Sequence, residues 1–315
     1  MAQSHLSDLT ARLEREVLLI DGGLSTACEE LGAQVKDSLW TARLLLDAPE
    51  VVVAAHEAFI RAGASVVATA SYQVSELGFS EAGLGEGEVE RALLASVRCA
   101  REANLRTGGS ALVAASVGPY GAVLADGSEY RGNYGLTHEE LVSFHEPRVL
   151  QLIAAKPDLI AFETIPDLAE LQAITEVCER VAAVSEPMSV WVSLSCESGA
   201  RLCSGEAIEQ GVAVLGDLPG LIAIGANCAG VATISEALGT IRSVTDLPML
   251  AYPNGGGAWD AQANCWVGAT DPITDEVLHI WIAEGVRLIG GCCGYGPGRL
   301  ADLKAQLGRV VGAEG

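Results

Sequence analysis

Short apolar stretches recur along the whole chain, and longer segments with apolar residues at helical spacing separate them. Apolar runs of this length, bounded by turn residues, are typical of strands that are buried on both faces in a parallel sheet. We predict eight such strands, at residues 18–21, 65–71, 111–117, 159–163, 189–195, 221–227, 249–252 and 286–289.

The segments between the predicted strands carry signals for the start of helices. Asp47 precedes Pro49 and an acidic first turn, which predicts a helix over residues 51–61 with Asp47 as part of its cap. Thr137 and Glu140 have the spacing of a capping box, in which each side chain bonds the backbone N–H of the other residue. Helices are therefore predicted between successive strands.

The alternation of eight strands with helical segments predicts a (β/α)8 TIM barrel in the α/β class, and a doubly wound open sheet is the competing topology. No linker or low-complexity run divides the chain, so we expect a single domain over residues 1–315. Two connections, residues 118–135 and 253–270, are unusually long and rich in Gly, Asp, Asn and aromatic residues. Long ordered loops often carry function, and both would lie at the carboxyl ends of the strands.

Two adjacent cysteines, Cys292 and Cys293, follow the last predicted strand and stand between glycines. Adjacent thiols do not easily form a disulfide with each other, but a flexible backbone lets both sulfurs approach one soft metal ion. Cys228 directly follows the predicted strand 221–227. Three thiolates with the fourth position open are typical of a catalytic zinc site, so we predict one Zn²⁺ per chain at these cysteines.

Polar residues also follow several other predicted strands. Because the carboxyl ends of barrel strands surround one mouth, these residues are expected to lie close together despite their distance in sequence. The set comprises Asp21 with Gly22 and Gly23, Ser71 with Tyr72, Tyr120, Glu163 with Thr164, Asn227, and Asn254. Acids and aromatic rings beside a soft metal suggest a substrate that carries a thiol and an ammonium group.

The chain is strongly acidic, with 41 Asp and Glu against 19 Lys and Arg and a net charge of −22. This charge would repel nucleic acid and anionic membranes and favour a small cationic ligand. The amino terminus has no signal-peptide pattern, and no apolar run is long enough to span a bilayer. The chain has nine cysteines, an odd number, which indicates reduced thiols, so we expect a cytoplasmic protein. We further expect either a monomer or a small homo-oligomer.

Nine segments resemble, in the same order, the motifs of the homocysteine S-methyltransferases, and most closely their zinc-dependent branch that uses S-methylmethionine or S-adenosylmethionine. These segments are residues 21–23, 39–42, 69–73, 116–121, 126–132, 162–166, 225–228, 252–254 and 290–294. The resemblance implies a (β/α)8 barrel in which a methyl group passes from a sulfonium donor to the thiol of L-homocysteine, forming methionine. It also implies that zinc is held by Cys228, Cys292 and Cys293 and binds the incoming thiol.

The resemblance assigns further roles to residues around the predicted mouth. Asp21 and Glu163 match the residues that bind the ammonium group of homocysteine in the family. The remaining expected contacts to homocysteine are Gly22, Gly23, Ser71, Thr164 and Asn227. The expected donor pocket comprises Trp40, Tyr72, Tyr120, Tyr130 and Asn254, because aromatic faces attract cations.

Four alternatives remain open at the level of sequence, and one of them is a barrel enzyme that acts on some other small thiol. A betaine-using branch of the family carries a tyrosine where this chain has Thr164, which disfavours betaine as the donor. A selenol acceptor would bind zinc in the same way as a thiol. A non-catalytic zinc-binding or thiol-sensing barrel would close the metal site with a fourth cysteine such as Cys265.

Overall fold

A computed structural model describes residues 9–35, 39–256, 258–260, 265–267 and 271–312. Eight parallel strands form its main sheet: β1 (Leu18–Leu19), β2 (Val66–Ala68), β3 (Leu112–Val117), β4 (Leu159–Ile165), β5 (Val190–Leu194), β6 (Leu221–Asn227), β7 (Met249–Tyr252) and β8 (Val286–Ile289). They pair in the order β1-β8-β7-β6-β5-β4-β3-β2. A parallel bridge between Ile20, which follows β1, and Val66 on β2 joins the two ends of this series. The prediction of a (β/α)8 barrel is therefore confirmed.

All eight predicted strands are present; three have the predicted ends, and the other five differ from the prediction by a few residues. The largest difference is at β2, predicted over residues 65–71 but observed as Val66–Ala68. The following residues leave the sheet: the Thr69 hydroxyl accepts a hydrogen bond from the Ser116 N–H at 3.0 Å. Side-chain bonds thus replace the sheet ladder at the carboxyl end of this strand.

The barrel interior is filled by alternate residues of the strands, as expected from the two-residue period of a strand. On β3, β4 and β5 the inward residues of the inner core include Ala114, Ala161 and Trp191. The next inward step on each strand carries a polar side chain, and these residues are Ser116, Glu163 and Ser193. The alternation therefore changes the barrel lining from apolar to polar at the carboxyl ends of the strands.

Helices surround the barrel, and their apolar faces pack on the outward residues of the strands. Residues 9–13 are helical, and Ser128–Tyr130 form a 3-10 turn. Two short hairpins, Cys196–Ser198 with Arg201–Leu202 and Ala258–Asp260 with Cys265–Val267, extend the connections after β5 and β7. The α-helices are Leu24–Glu30, Thr41–Asp47, Pro49–Ala62, Glu76–Glu81, Glu86–Thr107, Tyr120–Val123, His138–Ala154, Leu168–Val184, Ile208–Leu215, Val231–Arg242, Asp275–Ala283 and Pro297–Gly312.

The predicted helix caps are partly confirmed. Thr137 and Glu140 form the expected capping box at the start of His138–Ala154. The role expected of Asp47 is wrong, because Asp47 is the last residue of the preceding helix and Ala48 takes the cap position of Pro49–Ala62 without a side-chain bond. Within the described part of the chain, no helix combines the length and apolar character that crossing a bilayer requires.

His56 is a fully buried histidine in the helix Pro49–Ala62, and no described residue forms a hydrogen bond with either of its ring nitrogens. Burial lowers the pKa of His56 to about 4 from its ordinary 6.5. The unfolded chain therefore takes up a proton as the pH falls below about 6.5, whereas the folded protein resists protonation until about 4. Protonation of this residue thus favours the unfolded chain progressively over that range.

We expect His56→Leu to make the protein less sensitive to acid. Between pH 6.5 and 4 the wild type should lose up to about 3 kcal/mol of stability more than the variant, at about 1.4 kcal/mol per pKa unit. Urea unfolding of both proteins at several pH values measures the difference. Equal pH slopes for the two proteins would contradict this interpretation.

Candidate active site

Three thiols meet at the mouth of the barrel. The Sγ atoms of Cys228, Cys292 and Cys293 all lie within 4.8 Å of one another, and those of Cys228 and Cys293 are 3.6 Å apart. Among the residues whose side chains the structure describes, this is the one cluster of three or more Cys, His, Asp or Glu with such spacing. The arrangement is the one that the sequence predicted for a metal ion.

The end of β7 aligns the two strand ends that carry these cysteines. The N–H of Cys228 donates to the carbonyl of Tyr252 at 3.2 Å, and the N–H of Cys292 donates to the carbonyl of Pro253 at 2.8 Å. Because β7 lies between β6 and β8 in the barrel, one short segment holds both cysteine-bearing turns. The convergence of the sulfurs is therefore a consequence of strand order.

The backbone around the cysteines is tightly turned. Cys228 has a φ of 55°, in the left-handed region that non-glycine residues rarely adopt. At Gly291, a Cβ atom would lie 2.0 Å from the ring of Tyr295, so only glycine fits there. Gly294, with a φ of 71°, completes the turn. The glycines flanking the cysteine pair thus allow the sharp turn expected of them.

The three thiols strongly influence one another's ionisation. Hydrogen bonds from Cys292 and Cys293 lower the pKa of Cys228 well below its ordinary value. The hydrogen bond with Cys228 is in turn the largest cause that raises the pKa of Cys292 and of Cys293. One thiolate is therefore stabilised at the expense of the others, and ionisation of all three requires a cation. A soft divalent metal ion fits this set of sulfur ligands.

Two polar side chains contact the sulfurs from outside the group. The Tyr130 hydroxyl lies 3.1 Å from the Sγ of Cys228, and the Asn227 amide donates to the Sγ of Cys292 at 3.8 Å. Contacts of this kind orient metal ligands and tune their basicity. They come from different parts of the chain, since Tyr130 lies in the long connection after β3 and Asn227 ends β6.

The sulfurs open onto a pocket that also contains two buried acids, Asp21 after β1 and Glu163 on β4. Asp21 is 2% exposed and accepts a hydrogen bond from the N–H of Ala68 at 3.0 Å. Glu163 is 8% exposed and accepts a hydrogen bond from the Ser116 hydroxyl. Burial raises the pKa of Asp21 well above its ordinary value and that of Glu163 to about 7. A bound ammonium group would relieve this cost by pairing with the carboxylates.

Thr164 and Asn227 form a clamp beside Glu163. Thr164 has a φ of 64°, which costs on the order of 1–3 kcal/mol for a non-glycine residue. Its N–H donates to Oδ1 of Asn227 at 3.1 Å, and its hydroxyl accepts from Nδ2 of Asn227 at 2.9 Å. The same Oδ1 accepts from the Ser193 hydroxyl at 2.7 Å. Both residues line the pocket, and these bonds hold the strained turn that follows Glu163.

Other predicted site residues also line the pocket. Gly22 and Gly23 lie next to Asp21, and a Cβ atom at Gly22 would come 2.1 Å from the carbonyl of Tyr295. Trp40, Tyr72 and Tyr130 line the same pocket, and Trp40 and Tyr130 remain 40% and 43% exposed. Large aromatic faces therefore stand at the outer part of the pocket, while the acids Asp21 and Glu163 lie deep.

Three predicted residues are not among the described residues that line the pocket: Ser71, Tyr120 and Asn254. Ser71 is fully buried and its hydroxyl donates to the carbonyl of Ser116 at 2.7 Å. The Tyr120 ring packs against Tyr134 and Phe144, with ring centroids 5.3 and 5.1 Å away. The pocket lining therefore does not support direct ligand contact at these three positions, which stays a prediction, because strand-end position alone does not determine where a side chain points.

Conversely, Glu129 and Tyr252 line the pocket without having been assigned a role from the sequence. Tyr252 lies in the family motif at residues 252–254, and its position two residues after the inward Leu250 on β7 agrees with its place in the pocket. No periodic signal marks Glu129, which lies in the 3-10 turn Ser128–Tyr130. Burial, and to a lesser degree the charge at Cys228, raises the pKa of Glu129 to about 7.

A buried polar network holds the long connection that carries Glu129. Glu170, fully buried, accepts from the N–H of Tyr120 at 2.6 Å and bonds Nε2 of His145 at 2.8 Å. The Arg148 guanidinium donates to the carbonyl of Gly118 at 3.1 Å and to that of Tyr72 at 2.9 Å. The segments bearing the pocket aromatics are thereby tied to the outer helices.

The fold and these contacts define a (β/α)8-barrel protein with a cluster of three cysteines that could hold a metal ion and an acidic pocket at the carboxyl ends of its strands. A family model described as homocysteine S-methyltransferase matches residues 18–307. The chain belongs to this family, as its sequence motifs predicted.

Individual relatives agree with the family assignment. A homocysteine S-methyltransferase of Escherichia coli (strain K12) is 38% identical over 96% of this chain and 99% of its own length. Homocysteine S-methyltransferase 4 of Zea mays is 39% identical over 94% of this chain and 90% of its own. Among solved structures, the metallated form of the homocysteine methyltransferase MmuM from Escherichia coli superposes with a TM-score of 0.84 at 36% identity, covering 96% of this chain and 99% of that one.

Proposed function

We propose that the protein transfers a methyl group from a sulfonium donor, S-methylmethionine or S-adenosylmethionine, to the thiol of L-homocysteine and so forms methionine. The observation that carries this proposal is the group of three sulfurs within 4.8 Å of one another, opening onto a pocket with two buried acids. The relatives described above are homocysteine S-methyltransferases, which supports the same reaction.

Zinc is the metal ion that we propose for the cluster, one per chain, held by Cys228, Cys292 and Cys293. Thiolate ligands suit zinc, and the solved relative MmuM exists in a metallated form. Zinc in such a site supplies a Lewis acid that keeps an incoming thiol ionised at neutral pH. The Asn227 amide and the Tyr130 hydroxyl would hold the cysteine ligands in position.

Homocysteine would bind in the deep part of the pocket. Its ammonium group would pair with Asp21 and Glu163, which are buried and have no basic partner among the described pocket residues. Gly22 and Gly23 leave room beside Asp21, and Thr164 lies beside Glu163. This placement brings the acceptor thiol toward the open side of the three sulfurs.

The sulfonium donor would enter from the outer part of the pocket, where Trp40 and Tyr130 present aromatic faces, and the ring of Tyr72 also lines the pocket. The acceptor sulfur attacks the methyl carbon in line, a new S–C bond forms, and the bond to the sulfonium sulfur breaks. The leaving group is a neutral thioether that keeps the electron pair, so no general acid is required. The residues of the pocket then act by alignment and by favouring positive charge.

We expect methionine formation with at least one of S-methylmethionine and S-adenosylmethionine and little with betaine. Reactions with each donor and L-homocysteine, followed by chromatography of methionine, test this expectation on zinc-loaded protein. Omission of homocysteine is the control for donor breakdown. A preference for betaine would contradict the assignment to the sulfonium-using branch, and no turnover with any methyl donor would contradict the proposed function.

A further inference from the structure

The pocket contains three acids, and Glu129 differs from the other two in its bonding. Oδ2 of Asp21 accepts from the N–H of Ala68, and Oε1 of Glu163 accepts from the Ser116 hydroxyl. Oε2 of Glu129 is buried, and no hydrogen-bond donor of the described residues reaches it. A buried acceptor without a partner costs roughly 1–3 kcal/mol, so a ligand that supplies a donor is favoured there.

The turn that carries Glu129 is held firmly in place. A Cβ atom at Gly121 would lie 2.6 Å from the N atom of Glu129, so the turn packs directly on the preceding short helix. The Arg131 guanidinium, the basic group closest in sequence, bonds Asp126 at 3.2 Å and the Ser128 hydroxyl at 2.9 Å instead of Glu129. The position of Glu129 is therefore set by the fold, while its Oε2 stays available to a ligand.

The charge of the pocket determines which kind of hydrogen-bonding group of a ligand is favoured next to Glu129. Among the described residues that line the pocket, none is Lys, Arg or His, and the charged ones are the acids Asp21, Glu129 and Glu163. A cation is thus favoured over an anion or a neutral amide. A sulfonium carries charge but has no N–H or O–H to donate, whereas an ammonium group has three donors.

Glu129 lies farther out in the pocket than Asp21 and Glu163, and this position indicates that it contacts the methyl donor. Asp21 and Glu163 lie on or next to barrel strands, whereas Glu129 lies in the connection beside Tyr130, a residue that is 43% exposed. Tyr130 in turn places its hydroxyl 3.1 Å from the Sγ of Cys228. A ligand on this side therefore lies between solvent and the three sulfurs, which is the side from which the methyl donor must approach.

We propose that Glu129 binds the α-ammonium group of the sulfonium donor and so selects donors that are amino acids. This inference rests on the function proposed above. The aromatic faces of Trp40 and Tyr130 would meet the sulfonium, and the free oxygen of Glu129 would accept a charge-assisted hydrogen bond from the ammonium group.

The test compares two methyl donors, each with the wild type and with Glu129→Gln. S-methylmethionine has a sulfonium, a carboxylate and an ammonium group, whereas dimethylsulfoniopropionate has the sulfonium and the carboxylate but no ammonium group. We expect Glu129→Gln to lower kcat/KM for S-methylmethionine by about 10- to 100-fold, the usual size of a hydrogen bond to a charged group. The value for dimethylsulfoniopropionate should change by no more than about threefold. Glu129→Ala should reduce the preference between the donors in the same way.

Matched measurements separate this inference from other roles of Glu129. Glu139→Gln removes one charge from an exposed position on the helix His138–Ala154 and should leave the donor preference unchanged. An equal loss with both donors, a higher KM for homocysteine or a loss of bound metal in Glu129→Gln would each overturn the inference. Wild-type protein that uses no sulfonium donor would instead overturn the proposed function itself.

Discussion

Replacing Cys292 by alanine is expected to abolish metal binding and methyl transfer together while the barrel still folds. Cys292 supplies one of three sulfurs that lie within 4.8 Å of one another, and two sulfurs do not complete a tight zinc site. We expect bound zinc to fall from about one per chain to a small fraction of that, and activity to fall to background. Cys293→Ala should behave in the same way.

Metal analysis measures the zinc bound to the purified proteins, and circular dichroism shows whether they are folded. Cys203→Ala is the matched control, because Cys203 is a partly buried thiol that does not belong to the three-sulfur group. This variant should keep both zinc and activity. A Cys292→Ala protein that retains about one zinc per chain would show that the ligand assignment is wrong.

X-ray absorption on the wild type separates a catalytic zinc site from a structural one. Three sulfurs with one lighter ligand are expected of a site that is open to substrate, and four sulfurs of a closed site. The side chain of Cys265, the candidate fourth cysteine, lies outside the described residues. Four sulfurs in the resting protein would therefore favour the non-catalytic alternative.

Glu163→Gln is expected to weaken homocysteine binding far more than metal binding. Glu163 is 8% exposed, and loss of its charge removes a charge-assisted bond to the substrate ammonium worth about 1.5–3 kcal/mol. The KM for homocysteine should therefore rise by about 10- to 100-fold with metal content unchanged. Steady-state kinetics at saturating donor, together with metal analysis, measure both quantities.

The pH dependence of the same variant provides an independent check. Burial raises the pKa of Glu163 to about 7, so in the free protein the carboxylate is lost as the pH falls through that value. The wild type should then lose affinity for homocysteine below about pH 7, and Glu163→Gln should lack this component. Equal loss of metal and of homocysteine binding in the variant would instead indicate a structural role for Glu163.

Much of the architecture was predictable because it depends on local patterns. Eight apolar strands alternating with helical segments define the barrel, and a barrel brings strand ends together whatever their distance in sequence. This is why the sequence alone allows Cys228 to be grouped with Cys292 and Cys293. The family was likewise recognisable from motifs that recur in order along the chain.

The direction of individual side chains was less predictable. Ser71 and Tyr120 follow strands, yet hydrogen bonding to Ser116 and ring packing against Tyr134 turn them away from the pocket. Such outcomes depend on neighbours that are distant in sequence, so position after a strand was an insufficient guide. Inward alternation along β7 was the better signal, and it explains the position of Tyr252 in the pocket.

The barrel, the family and the group of three thiols follow from the amino-acid sequence alone, because apolar periodicity and ordered motifs are properties of the linear chain. The packing of the folded chain decided instead that Glu129 joins the pocket with a carboxylate oxygen that no donor of the described residues reaches. It likewise decided that Asn227 holds the strained Thr164. Both depend on which segments pack against each other, and burial and unmet hydrogen bonds arise only when that packing is complete.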